Sequence, residues 1–213
     1  MIRLDNVCRF YHNGEIETRA LLNINFEIIN GEFVVIAGPS GSGKSTLLHI
    51  LGCLDNPTSG EYYLEDVPVN NLSKREQAVI RNKKMGFIFQ SFNLIPELTV
   101  FENLELPLIY CGVTKKERIK IITKNLERVS IDHRKDFMVD QLSGGEQQRV
   151  AIARSLVVNP VVLFADEPTG NLDTKTGNGI MELLKDLNEK EKMTVVMVTH
   201  NENHFKFGNR ILH

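Results

Sequence analysis

A chain of 213 residues with 42% hydrophobic and 24% charged side chains has a globular composition, which excludes a mainly disordered, collagen-like or disulfide-scaffold protein. Its 25 Lys and Arg against 27 Asp and Glu give a formal net charge of -2, so the total does not point to nucleic acid as a partner. The most apolar runs, 33–37, 157–165 and 195–198, are far shorter than the roughly 18 residues that span a bilayer. No signal-peptide core follows Met1, and Cys8, Cys53 and Cys111 lack metal spacing; a cytoplasmic location is expected.

In chain order, Ile2, Leu4 and Val7 begin one predicted strand, and Leu22, Ile24, Phe26 and Ile28 alternate through a second, with a turn at His12–Asn13–Gly14. Asn30–Gly31 is a further turn. Phe33–Ala37 is a continuous apolar run, as a strand buried on both faces requires, and a glycine-rich loop leads from it into a predicted helix over 44–51. Residues 61–64 and 67–69 suggest a short hairpin or edge element. From Leu72 to about Leu156 the pattern is mostly helical. Ser73/Glu76, Thr99/Glu102, Thr114/Glu117 and Ser143/Glu146 each form an S/T-x-x-E box that marks a helix start. Pro107 is expected to end or kink the helix that begins near Val100. Ile119, Ile122, Leu126 and Val129 give the segment 115–129 one apolar face. Met85–Gln90 interrupts as a strand; a strand over 161–165, a helix over 179–190 and a strand over 194–198 follow the helical stretch.

Gly38-Pro39-Ser40-Gly41-Ser42-Gly43-Lys44-Ser45 fits G-x-x-x-x-G-K-S, set between a buried strand and a helix. Its glycines let backbone amides converge on phosphate oxygens, and the helix beginning at Lys44 adds its positive end. Lys44 is placed to reach the β- and γ-phosphates and Ser45 to hold Mg²⁺ through its hydroxyl, with Thr46 next to it among the nucleotide-binding residues. The strand that ends in Asp166–Glu167 brings two carboxylates to the carboxyl edge of the sheet, beside this loop. Asp166 suits the Mg²⁺ shell, directly or through water. Glu167, turned elsewhere by strand alternation, is available to orient or deprotonate the attacking water. A solvated strand end is the plainer account of such a pair, and the phosphate loop outweighs it.

Leu142-Ser143-Gly144-Gly145-Glu146-Gln147-Gln148-Arg149 resembles the signature motif of ATP-binding cassette ATPases, and nearly the whole chain follows that family's motif order. The resemblance implies an α/β fold: a P-loop NTPase core with a RecA-like parallel sheet, an N-terminal antiparallel β subdomain and an inserted α-helical subdomain. It divides the chain into a catalytic core at 1–90 and 159–213 and a helical part at 91–158. It makes Tyr11 the adenine-stacking aromatic, Gln90 the glutamine that contacts Mg²⁺ or the attacking water and links to the helical part, and His200 the γ-phosphate sensor. Asp173 of Asn171-Leu172-Asp173 is then a contact to a partner's phosphate loop. Ser143, Gly144 and Gly145 open a helix whose first amides are unpaired, an anion site without an obvious use in one subunit. In the family it caps the γ-phosphate held by the opposite subunit of a head-to-tail homodimer with ATP at the interface. A capping box at Ser143 is compatible with that role, and Arg149 reads as packing and ion pairing.

The resemblance further implies a separate membrane subunit, inserted near Phe92, Leu94, Ile95 and Leu98 from the cytoplasmic face. The stretches 51–60, 86–96, 102–108 and 166–173 look like the lipoprotein-release and macrolide or peptide-export cassettes. A cell-division-type regulatory cassette is the alternative, and a soluble cassette of DNA repair or the ribosome lacks its usual insertions here. Family members commonly continue past the strand begun at Arg210, with no catalytic motif in that part.

Overall fold

The structure, a computed structural model, describes every residue except Glu15 and Ser40. Two sheets organise it. Strands β1 (Ile2–Asn13), β2 (Ile16–Ile28), β4 (Ser59–Leu64) and β5 (Val67–Pro68) make an antiparallel sheet in the order β2-β1-β4-β5. Strands β3 (Phe33–Ala37), β6 (Met85–Phe89), β7 (Val162–Asp166), β8 (Thr194–Thr199) and β9 (Arg210–Leu212) make a parallel sheet in the order β6-β7-β8-β3-β9. Helices α1 (Lys44–Leu51) and α2 (Lys74–Lys84) follow β3 and β5. Helices α3 (Val100–Tyr110), α4 (Lys115–Arg128) and α5 (Gly144–Leu156) lie between β6 and β7, and α6 (Thr174–Glu191) lies between β7 and β8.

Strand alternation divides the interior. Phe33 and Val35 join Leu163, Ala165, Val195 and Met197 in a core shared with α3 to α6. Their neighbours Val34 and Ile36 face the other way and join Phe164, Val196 and Val198 in a core with α1 and the antiparallel sheet. All five residues of β3 are therefore buried, as a parallel strand covered on both faces demands. With its antiparallel sheet and inserted helices this is the P-loop, RecA-like architecture expected.

Four local expectations change. Leu22 is exposed and Leu21 is buried in its place. Asn23, at φ 48°, sits beside register shifts in the β1–β2 ladder, and the irregularity moves the inward phase by one residue. Pro107 does not end its helix: α3 runs on to Tyr110 and stops at Gly112, φ 73°. Its missing N–H leaves the Asn103 carbonyl without the usual helical bond, a cost that burial of Leu104 and Leu108 in the core offsets. Ile119 is exposed, whereas Ile122, Leu126 and Val129 are buried as predicted. Helix α6 also starts earlier than 179, because Asp173 caps it by accepting from the amides of Lys175 and Thr176, both at 3.0 Å.

Candidate active site

The phosphate loop leaves β3 and enters α1. Gly38, Gly41 and Gly43 all have positive φ, and a side chain at Gly43 would lie 2.5 Å from the Ala20 carbonyl. Only glycine fits there. Pro39 and Ser42 complete the described part; Ser40 lies outside the described residues. Lys44 donates through Nζ to the Pro39 carbonyl at 2.6 Å and stands 3.5 Å from Ser42 Oγ. Gly43 is the N-cap of α1 and supplies no side-chain cap, so the first amides of the helix are open to an anion. Ser45 is exposed and Thr46 half-buried on the first turn.

Asp166 ends β7, half-buried. Burial raises its pKa, His49 and Lys44 oppose that with positive charge, and Glu167 adds to it. Ala37 pairs with Thr199 and Asp166 with Val198, so the phosphate loop and Asp166 leave the parallel sheet at the same edge. Glu167 departs from the expected geometry. It lies outside the strand at φ 45°, a left-handed conformation that costs a non-glycine residue roughly 1–3 kcal/mol. Its divergence from Asp166 comes from this turn and not from strand alternation. The turn is held by the Glu167 amide donating to Val198 O at 3.0 Å and by the Gly170 amide donating to Glu167 O at 2.9 Å.

The end of β8 then fixes the carboxylate. Thr199 Oγ1 donates to Glu167 Oε2 at 3.0 Å, and the His200 amide donates to Oε1 at 2.8 Å. His200 Nδ1 lies 2.6 Å from the same oxygen. A carboxylate only accepts, so Nδ1 carries the proton and Nε2 is left facing outward. The Glu167 side chain is 16% exposed and that of His200 is 72% exposed.

Gln90 and Asn171 are joined by two hydrogen bonds. Gln90 Nε2 donates to Asn171 Oδ1 at 3.1 Å, and Asn171 Nδ2 donates to Gln90 O at 3.0 Å. Gln90 is thereby joined to the loop that carries Asp173. Sequence reasoning missed Gln148 on α5. It is fully buried, and its Nε2 donates to Pro168 O at 2.6 Å and Phe89 O at 3.4 Å. Both partners are carbonyls, which settles the amide's orientation, and Oε1 has no partner. An amide on the buried side of α5 was the available signal.

Ser143 caps α5. Its amide and hydroxyl both donate to Glu146 Oε2, at 2.9 and 2.8 Å. Those bonds, with the nearby Arg134, hold the Glu146 carboxyl below its usual pKa. Gly144 faces Leu172, and a side chain at Gly145 would collide with Thr176. Among the described residues no hydrogen bond joins 142–149 to the phosphate loop. Tyr11 is on β1 opposite Thr18, about 7 Å along β2 from the Ala20 carbonyl that touches the phosphate loop. It is 38% exposed.

The residues present fit a magnesium nucleotide. The loop at Gly38 and Gly43 is a concave backbone that a Cβ would fill. Ser45 and Asp166 offer hard oxygen donors. Among the described residues no three His, Cys, Asp or Glu gather as a metal cage, so phosphate oxygens would complete the shell.

Along β6, an outer strand of the parallel sheet, lies a groove of about 730 Å³, lined by Leu54, Val79, Phe87, Phe89, Pro107 and Tyr110. Phe92, Leu94, Ile95 and Leu98 do not line it; Leu94 packs on the core instead. Arg154 lines the groove and donates to the carbonyls of Asn93 and Phe92 at 2.6 and 3.1 Å. Among the described residues no helix is long and apolar enough to cross a membrane.

Residues 21–170 match the ABC transporter family. The chain is similar to an ABC transporter ATP-binding protein of Thermotoga maritima, 54% identical over 94% of this chain and 86% of that protein. It is similar to the macrolide export ATP-binding/permease protein MacB of Brucella melitensis, 46% identical over 94% of this chain but 31% of that longer protein. Its fold matches the dimeric post-hydrolysis structure of the cassette MJ0796 bound to ADP and Pi. The TM-score is 0.90 at 51% identity, over 99% of this chain and 93% of that one. The chain belongs to the ABC transporter family, as an ATP-binding subunit.

Proposed function

We propose that this subunit hydrolyses ATP in a head-to-tail homodimer and uses dimer closure to move a membrane subunit. The observation that carries the proposal is the convergence of the phosphate loop, Asp166 and the Glu167–Thr199–His200 network at one sheet edge. Backbone amides of 38–43 and the start of α1 bind the phosphates, and Lys44 turns from the Pro39 carbonyl to the β- and γ-oxygens. Ser45 and Asp166, with Gln90 as a third ligand, would hold Mg²⁺. When bound, the ion neutralises charge on the phosphates. Glu167 accepts hydrogen bonds from Thr199 and His200, and its carboxylate orients water and takes its proton. His200 faces the γ-phosphate with Nε2, which can contact it only as an N–H donor, with both ring nitrogens then carrying protons.

The closed dimer follows from the half of the chemistry that one chain leaves unused. Ser143, Gly144 and Gly145 offer a hydroxyl and helix-start amides to the ATP on the partner subunit, and Asp173 approaches its phosphate loop. The relative solved as a dimer with ADP and Pi supports this arrangement. The membrane subunit is inferred from the MacB relatives, in which a similar cassette is part of a longer ATP-binding/permease chain. We place its contact in the groove between Val79, Phe87 and Tyr110, beside Phe92–Leu98 rather than on it. Arg154 reaches from that groove to the backbone after Gln90, and Gln90 to Asn171, which gives a physical route from groove to active site. The catalytic core at 1–90 and 159–213 would then move against the helical part at 91–158.

Macrolide export is the cargo reading that the MacB relatives support, while lipoprotein release and peptide export rest on the motif resemblance alone; each would be driven from the cytoplasmic face. Co-purification with a permease-type membrane protein tests the partner. A turnover assay on Glu167→Gln tests the chemistry, and unchanged hydrolysis would overturn it.

A further inference from the structure

Tyr11 does not stand alone on β1. Its hydroxyl donates to Asp55 Oδ2 at 2.8 Å. The Arg9 guanidinium lies over its ring, 4.4 Å from the centroid, and Arg9 also pairs with Asp55 Oδ1 at 2.9 Å. One carboxylate therefore holds both the aromatic and the cation that covers it. Asp55 is itself fixed: its amide donates to His49 O at 3.2 Å, and its Oδ1 accepts from the Asn56 amide at 2.8 Å. His49 is in the last turn of α1, whose first turn follows the phosphate loop. The closed set Tyr11–Arg9–Asp55 thus connects an exposed aromatic on the antiparallel sheet to the far end of the phosphate-binding helix.

We propose that Arg9 and Asp55 are positioning residues for the nucleotide base. They hold the Tyr11 ring with one face against the guanidinium and leave its exposed surface for a planar base. The inference rests on the reading of Tyr11 as the base-stacking residue. Two physical consequences follow. A ring whose hydroxyl and one face are already engaged loses less rotamer freedom when a base arrives, so more of the stacking contact appears as affinity. A cation over one ring face polarises the ring and makes its other face less electron-rich, which suits an aromatic base better than a second cation. The phosphates are held elsewhere, by backbone amides and Lys44. The set should therefore affect ligands that carry a base and leave binding of a bare phosphate chain alone.

Equilibrium binding to the whole protein in Mg²⁺ tests this, with ATP and inorganic tripolyphosphate as probes. Asp55→Ala, Arg9→Met and Tyr11→Phe are compared with Tyr11→Ala. Asp55→Ala and Arg9→Met are expected to raise the ATP Kd about threefold to tenfold, with Tyr11→Phe at the low end of that range. Tripolyphosphate binding stays as in the parent, and in steady-state hydrolysis the change falls on KM and not on kcat at saturating ATP. Three results would overturn the proposal. If Tyr11→Ala weakens ATP binding but Asp55→Ala and Arg9→Met do not, the two residues do not position the ring. If Tyr11→Ala also leaves the ATP Kd unchanged, the stacking reading fails first and the proposal with it. If tripolyphosphate binding falls in parallel with ATP binding, the substitutions act through α1 and not through the base.

Discussion

At the carboxyl edge of the parallel sheet the functional side chains answer one another. Glu167 takes three donors from Thr199 and His200, and Asp166 shares the field of Lys44. At the start of α5 the polar groups are satisfied differently: Ser143 and Glu146 pair with each other and point to nothing else in the phosphate site. The first region is a network set by two strands of one chain. The second is a capped helix end that can exchange its cap for an anion. The difference teaches where the dimer enters the account. On the proposed function, the first region is the acid–base half of one chain and the second an anion site for the ATP of its partner.

Substitution should break the two regions in different ways. The largest effect is expected at the sheet edge. Glu167→Gln keeps the side chain's shape and removes the base, and should lower kcat by about 10²–10⁴-fold while ATP still binds. Steady-state turnover beside nucleotide binding checks this. Next comes the link between the regions. Gln148→Leu removes the two bonds that tie α5 to the carbonyls of Phe89 and Pro168, and also the orphan Oε1. About a tenfold loss of kcat with the monomer's ATP Kd unchanged is expected. A fall in ATP affinity instead would mean that Gln148 serves the fold of the phosphate site. Thr199→Val is a smaller test, removing one of the three donors to Glu167 and the bond from the Asn201 amide. It should lower kcat about threefold to tenfold.

The smallest effect concerns pH. His204, buried after β8, is held below the ordinary histidine value of 6.5, chiefly by burial; Glu167 opposes this, and Lys206 and His200 reinforce it. The folded state therefore favours the neutral ring. Its contribution to stability is complete above about 6.5 and is lost as pH falls through the lower folded value. Melting temperatures at pH 7.5 and 5.5 should differ less in His204→Phe than in the parent.

Much of this was legible along the chain. Phe33–Ala37 and 44–51 have the predicted bounds, because a phosphate loop is a local device: glycine spacing, one lysine and a helix start contain their own geometry. The four S/T-x-x-E boxes mark helix starts for the same reason, each bond spanning three residues. What local pattern does not contain is a contact between distant strands. The Glu167–His200 pair spans 33 positions, the Gln90–Asn171 exchange 81 and the Gln148 bond to Phe89 59. The left-handed turn at Glu167 is likewise a tertiary product, since nothing in Ala165-Asp166-Glu167-Pro168 calls for positive φ. Tertiary context also overrode two local rules, at Pro107 and at Leu22.

The central claim is that two chains share each ATP through the start of α5. Light scattering of Glu167→Gln with ATP, with ADP, and again with Ser143→Arg added measures it most directly. A doubled mass is expected with ATP alone, and a monomer that still binds ATP once Ser143→Arg is present. A protein that stays monomeric with ATP, or a dimer indifferent to Ser143→Arg, would contradict it.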